Sequence, residues 1–308
     1  MIPRILRAPG GEGIPSGRAA LHGMLVMAVS SVIFSLMSLL VPLASLAGTY
    51  IVASSRFVTG GIAIVALGLF GVLNLKPVNW KWLVIRGLFG SISVYLYYRG
   101  IVTLGLGLGT VLNYTYPVFA ALMAPIILRE KLSWDVILAV TASFVGIYFV
   151  VNPFGSDGGG SGQLAVSGDR LLGLLGGFLA AVAVVSIRKL RRTDSSSVIY
   201  LAQCVFGVLV IGWQTATSSW TFPVWVWMIL AAIGVLATVA QLLMTYAYKH
   251  VPATEGSLLA FLVPVFNVIL GVLVFHETMQ PTALIGSLIV LACCLYVALR
   301  ERIMRIAS

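Results

Sequence analysis

Residues 109–130 read GTVLNYTYPVFAALMAPIILRE, and residues 256–277 read GSLLAFLVPVFNVILGVLVFHE. A shift of 147 residues lays one on the other: Gly109 on Gly256, Pro117-Val118-Phe119 on Pro264-Val265-Phe266, and Glu130 on Glu277. Each is an apolar run long enough to cross the roughly 30 Å of a bilayer's hydrocarbon, with a proline near its middle. Proline has no N–H, and its ring pushes away the carbonyl four residues back. Both helices should therefore kink and free the carbonyls of Asn113 and Ala260. A freed carbonyl at that depth is tolerated against protein or a watery cavity, not against lipid.

Working outward, charges, prolines and glycines divide the chain into ten such runs, at about 21–43, 50–73, 82–102, 106–128, 134–152, 170–188, 197–216, 223–247, 253–275 and 281–300. Composition agrees. Hydrophobic residues make up 60% of the 308 and charged ones only 9%, with a mean hydropathy of +1.06. A water-exposed surface needs about a quarter charged residues, so most of this surface must face lipid. The run after the polar N-terminal arm, Leu21 to Ala47, is too long for a signal peptide core and reads as the first helix.

The chain carries a formal net charge of +10, which could point to nucleic acid. Its bases instead sit in short clusters between apolar runs, such as Lys76/Lys81/Arg86 and Arg188/Lys189/Arg191/Arg192. If both termini are cytoplasmic, all nineteen Lys and Arg except Arg56, Arg99 and Arg170 fall on the cytoplasmic side, as membrane insertion prefers. No nucleic-acid partner is expected. Cys204, Cys293 and Cys294 lie in apolar runs without metal spacing. His22, His250 and His276 are isolated, and no phosphate-binding loop occurs, so no metal, cofactor or ATP hydrolysis is expected.

The repeat divides the chain into an N-terminal arm (1–20), a first five-helix unit (21–152), a Gly-rich external linker (153–169), a second unit (170–300) and a tail (301–308). Five is odd, so the two units insert in opposite directions, the architecture that lets a carrier present one central site to either side. The fold class expected is an all-α membrane protein of two inverted five-helix repeats around a central cavity.

Ser54-Ser55-Arg56-Phe57, Tyr114-Thr115-Tyr116-Pro117-Val118-Phe119, Arg129-Glu130-Lys131-Leu132, and Leu258 through Pro264-Val265-Phe266 to His276-Glu277 together resemble the drug/metabolite transporter superfamily, in its ten-helix EamA-type branch, over residues 21–300. Arg129 and His276 depart from that pattern, which is often small or Gly there, and Glu255 stands where many relatives are apolar. The resemblance implies secondary transport of a small organic metabolite across a bacterial inner membrane by alternating access, amino-acid-like or aromatic and nucleoside-like, more often by export. Uptake of S-adenosylmethionine or riboflavin is the alternative. Phe34-Ser35-Leu36-Met37-Ser38 with Ser55-Arg56-Phe57 faintly resembles the S-adenosylmethionine carriers. A monomer suffices, and a homodimer is compatible. A lipid-modifying enzyme would need a convergent Asp/His/Ser set that the sequence lacks, and a receptor or scaffold would not need the inverted symmetry.

Polar side chains at membrane depth mark candidate contacts with cargo. Asn113 and Pro117 share a helical face, and Asn267 and Pro264 lie on the equivalent stripe, with an interhelical hydrogen bond as the alternative role for each asparagine. Tyr95, Tyr98 and Arg99 cluster in the outer half of the third helix, where a guanidinium beside phenols suits a carboxylate or a planar ring. Tyr114, Gln241 and Tyr246 complete the set. Arg56 is expected to meet a helix carbonyl or reach the surface, with substrate contact as the alternative. Glu130 and Glu277 are expected to pair structurally, with a gate or proton site as the alternative, and Trp213, Trp220, Trp225 and Trp227 to form an interfacial belt.

Overall fold

The computed structural model describes residues 17–73, 75–116, 118–120, 122–123, 134–151, 168–191, 193–250, 260, 262–277 and 281–307. Among the described residues, in order, lie α1 (Gly17–Leu43), α2 (Thr49–Leu69), α3 (Trp80–Leu104), α4 (Leu106–Asn113), α5 (Trp134–Val151), α6 (Gly168–Leu190), α7 (Ser196–Thr217), α8 (Val224–His250), α9 (Leu262–Phe275) and α10 (Pro281–Ala307), with a 3-10 turn at Ser45–Ala47. Residues 116, 118–120, 122–123 and 260 are helical as well. No strand occurs among the described residues. His22–Leu43, Thr49–Leu69, Gly168–Ile187, Ser196–Thr217 and Val224–Ala247 are each long and apolar enough to cross a membrane.

The helices are amphipathic in the inverted sense. On α1, Leu25, Val29, Val32 and Leu36 form an exposed apolar stripe, while Ser30, Ser31, Ser35 and Ser38 are buried. In water this arrangement would waste the hydrophobic effect and bury hydroxyls. In lipid it places apolar surface against acyl chains and lets each hydroxyl bond within the bundle. Trp213, Trp220, Trp225 and Trp227 are exposed around the α7–α8 turn, and Trp220 stacks on Trp227 with ring centroids 5.7 Å apart.

The two repeats meet through equivalent helices. α3 packs chiefly on α6, and α1 on α8, which are the same pair under the repeat. Ser93 Oγ donates to the Gly176 carbonyl at 2.8 Å, and Ser30 Oγ to that of Ala240 at 2.8 Å, matching within one residue under the shift of 147. α2 and α7 cross where both are stripped to glycine: a methyl on Gly60 would strike Tyr200 and Cys204, and one on Gly207 would strike Phe57. Phe57 and Cys204 are themselves repeat equivalents. Ser54 Oγ meets Thr215 Oγ1 at 2.6 Å near the start of α2 and the end of α7, so these equivalent helices run antiparallel. The repeats are inverted.

The α4 break falls one turn before Pro117. α4 stops at Asn113, residues 114–115 form a turn, and Val118 N donates to the Thr115 carbonyl at 3.0 Å. Pro117 itself lies outside the described residues, as do Glu130, residues 251–259 and residue 261. Pro264 is buried in the first turn of α9, where a missing N–H costs nothing. Two carboxylates hold helix starts. Glu277 accepts from the backbone N–H of Leu106 and, at 3.1 Å, of Gly107, at the positive end of α4. Asp194 accepts from Val78 N at 2.8 Å and Asn79 N at 3.3 Å, just ahead of α3.

Candidate functional site

A buried cluster closes the bundle in one half and a cavity opens it in the other. A second pocket of about 450 Å³ lies in the closed half between α2, α7 and α8, beside the exposed Trp220 and Trp227. Call the side at which α1 begins the near side. Successive helices then alternate, so the near half holds the starts of α1, α3, α7 and α9 and the ends of α6 and α8. A cavity of about 430 Å³ lies there, and the residues around it include Met27 and Phe34 on α1, Arg86 on α3, Ile187 on α6, Gln203 on α7 and Met244 on α8. In the far half, Met37, Val41, Ile51, Tyr98, Ile101, Leu106 and Ile233 close into a buried cluster.

The floor of the cavity is a hydroxyl knot. Tyr97 OH lies 2.9 Å from Ser38 Oγ and 3.2 Å from Thr110 Oγ1, and Asn267 Nδ2 donates to both Tyr97 OH (3.2 Å) and Thr110 Oγ1 (2.9 Å). α1, α3, α4 and α9 are thereby tied together above a dry core. Beyond it, Tyr50 stacks on Tyr95 with centroids 4.7 Å apart, and Arg99 pairs with Asp169 at 3.0 Å. The walls carry charge. Arg56, on α2, donates to Gln241 Oε1 at 3.1 Å and lies over the Phe34 ring at 5.7 Å. Arg86, on α3, donates to Gln203 Oε1 at 2.8 Å, and Gln203 Nε2 donates to the Gly90 carbonyl at 3.2 Å. Both arginines are buried, and both face the cavity.

Against known families, residues 21–152 and 170–299 each match the model of the EamA-like transporter family. The chain belongs to that family. It is a multi-pass membrane transporter, and its family consists of carriers rather than enzymes. This EamA-like chain is 26% identical over 279 residues to the pseudopaline exporter CntI of Pseudomonas aeruginosa, covering 89% of this chain and 94% of that protein. It is 27% identical over 232 residues to human solute carrier family 35 member G1, covering 71% of this chain and 62% of that protein. A solved structure, titled only as the crystal structure of a protein, shares the fold with a TM-score of 0.61 at 19% identity, covering 94% of this chain and 99% of the other.

In this EamA-like transporter the residues singled out from sequence separate into two groups. Asn113, Tyr114 and Gln241 stand in the cavity wall. Pro117 is outside the described residues, and the others are not in that wall. Tyr98 is wholly buried in the far cluster, its hydroxyl on Met37 Sδ at 3.0 Å and accepting a hydrogen bond from Arg56. Asn267 belongs to the hydroxyl knot, Tyr95 to the stack on Tyr50, and Arg99 to the ion pair with Asp169. Tyr246 meets His22 edge-on at the near rim, with centroids 6.3 Å apart. Of the expected Tyr95/Tyr98/Arg99 cluster, Tyr95 and Arg99 do meet through a side-chain hydrogen bond four residues apart, whereas Tyr98 points to another face of the helix and to Met37.

Two expectations about arginines are corrected. Arg56 meets neither a helix carbonyl nor the surface, and Arg86, grouped above with the surface bases Lys76 and Lys81, is buried in the cavity wall. A signal for this was present. The repeat lays Arg56 on Gln203, one polar residue at the same depth of each unit. The contacts follow the same symmetry: Arg56 reaches α8, and Gln203 reaches α3.

Proposed function

We propose that this protein is a secondary transporter that carries a small organic metabolite across the cytoplasmic membrane by alternating access, in the direction of export. Both termini are cytoplasmic in this reading, and the near side faces the cytoplasm. Units 21–152 and 170–300 rock about the pseudo-twofold axis, joined by the external linker 153–169. The single observation that carries the reading is the one-sided cavity between inverted repeats. Symmetry-related helices enclose a hollow on one side and a sealed core on the other. Exchanging the conformations of the two repeats would move the opening to the other side. Export is favoured by the kinship with an exporter that matches most of both chains.

Asn113, Tyr114 and Gln241 contact the cargo in this state, whereas Tyr95, Tyr98, Arg99, Pro264 and Asn267 serve the seal, and Tyr246 the rim. The decisive experiment is counterflow in proteoliposomes of the purified protein, screened with acidic, neutral and basic amino acids, small carboxylates, S-adenosylmethionine and riboflavin. Saturable exchange of one solute class, lost in Asn113→Ala, supports the reading. A protein that reconstitutes as a folded monomer or dimer but exchanges none of them overturns it.

A further inference from the structure

The cavity is electrically incomplete. Arg56 and Arg86 are each only 5% exposed, both line the cavity, and both have a buried Nε without a hydrogen-bond partner. A guanidinium at membrane depth is tolerated when an anion or a dense set of acceptors faces it. The three acids whose side chains are described are engaged elsewhere. Asp169 holds Arg99, Asp194 holds the start of α3, and Glu277 holds the start of α4. Each buried arginine has instead a neutral glutamine, which accepts one N–H and leaves the charge intact. Three guanidinium groups therefore line a hollow large enough for a metabolite, Arg56 and Arg86 on glutamines and Arg191 donating to Ser196 Oγ at 2.7 Å, and no described carboxylate balances them.

We propose that the cargo supplies the missing charge: the site takes a small organic acid with two carboxylates, one for Arg56 and one for Arg86. This rests on the transporter reading above and names its substrate class. Arginine suits the task because its planar fork binds a carboxylate through paired N–H groups. Each fork is aimed by a fixed acceptor, Gln241 for Arg56 and Gln203 for Arg86. Gly90 leaves room for the second of these, since a methyl there would collide with Arg86 Nη1. The same wall includes apolar side chains (Phe34, Val94, Val184), which suit a short carbon skeleton. Ser30, Ser93 and Asn113 offer hydrogen bonds to a further polar group on it. A basic amino acid or a cationic sulfonium would add positive charge to a cavity that three arginines already line.

The test uses full-length protein in detergent and in liposomes. Glutarate, glutamate and citrate serve as probes, with glutamine, lysine and S-adenosylmethionine as controls. Binding is read from ligand-induced thermal stabilisation, and transport from counterflow. The dianions should stabilise the wild-type chain, with the neutral and cationic controls at least about tenfold weaker. Arg56→Gln and Arg86→Gln should each weaken the dianion by roughly tenfold to hundredfold, and Arg→Lys should recover part of the loss. Gly90→Ala retains both charges but displaces Arg86, and should weaken the dianion by more than it weakens the neutral controls.

Equal stabilisation by neutral or cationic controls overturns the assignment, as does undiminished dianion binding in the two Arg→Gln variants. If either of these folds poorly, Gly90→Ala decides. The two readings fail separately. Counterflow of a neutral or cationic solute would leave a transporter without an anion site. Dianion binding that depends on Arg56 and Arg86 but gives no flux would leave the site without a transporter.

Discussion

Two pairs of helix contacts related by the repeat have opposite states. In the far half, α1 meets α3 through Ser38 with Tyr97 and Met37 with Tyr98. The shift of 147 carries these residues to Val185 with Met244 and Val184 with Thr245, on α6 and α8. There the helices form separate walls, with Val184 and Met244 both lining the cavity. One sequence pattern is thus closed in one copy and open in the other. The chemistry fits that difference, because the closed pair is joined by hydroxyls and a thioether, whereas its open counterpart is aliphatic apart from Met244 and Thr245. The sealed half is fastened by specific polar bonds. The open half would close by apolar contact, without specific bonds to break on reopening.

The largest expected effect comes from locking either copy. In a chain lacking Cys204, Cys293 and Cys294, Ser38→Cys with Tyr97→Cys should be joined by a short bifunctional thiol reagent in the present conformation. Val184→Cys with Met244→Cys should be joined only when the near side closes. Each link should reduce counterflow to less than about a tenth, and a reductant should restore it for a cleavable reagent. A link at 38–97 that leaves flux intact would mean that the far contact never opens, and the comparison of open and closed copies would fail.

A smaller effect should follow from loosening the knot. Tyr97→Phe removes the hydroxyl shared by Ser38, Thr110 and Asn267. Losing a buried, multiply bonded hydroxyl costs about 1–3 kcal/mol, here charged to the sealed state alone. That should shift the population toward far-side opening by roughly tenfold to hundredfold. Labelling a cysteine placed at Met37, with a membrane-impermeant thiol reagent added from the far side, reads the shift. An unchanged rate would show that apolar packing alone keeps the far half shut.

Much of this architecture was legible in the sequence, for a physical reason. Lipid imposes a minimum helix length, and insertion imposes a charge bias, and both leave marks that need no tertiary information. The repeat was legible because Gly109, Pro117 and Glu130 recur at a single offset. The site was legible only in part. Asn113 and Gln241 are polar residues inside apolar runs, which marked them, but so is Asn267, and only packing distinguishes a wall from a knot. Arg86 was obscured by its nearness to Lys81: a long side chain early in a helix can extend to the surface or fold back over a glycine. Gly90 and Gln203 decide which, and neither is adjacent in sequence.

The smallest effect concerns a contact at the ends of the helices at which the two copies differ by charge. Arg99 and Asp169 pair at the far end of α3 and the start of α6, and the repeat carries them to Tyr246 and His22 at the near end of α8 and the start of α1, which meet as rings. The Arg99 and Asp169 side chains are 41% and 33% exposed, so water screens them, and such pairs contribute about 0–1 kcal/mol. Arg99→Gln should therefore change the melting temperature little, and a double-mutant cycle with Asp169→Asn should give a coupling below about 1 kcal/mol that fades with added salt. Cargo affinity should stay within about twofold of wild type, because a pair beyond the hydroxyl knot has no path to the cavity. A large loss of affinity in Arg99→Gln would restore the sequence-based expectation that Arg99 touches cargo, and would mean that the cargo also visits a far-side site formed when the bundle opens outward.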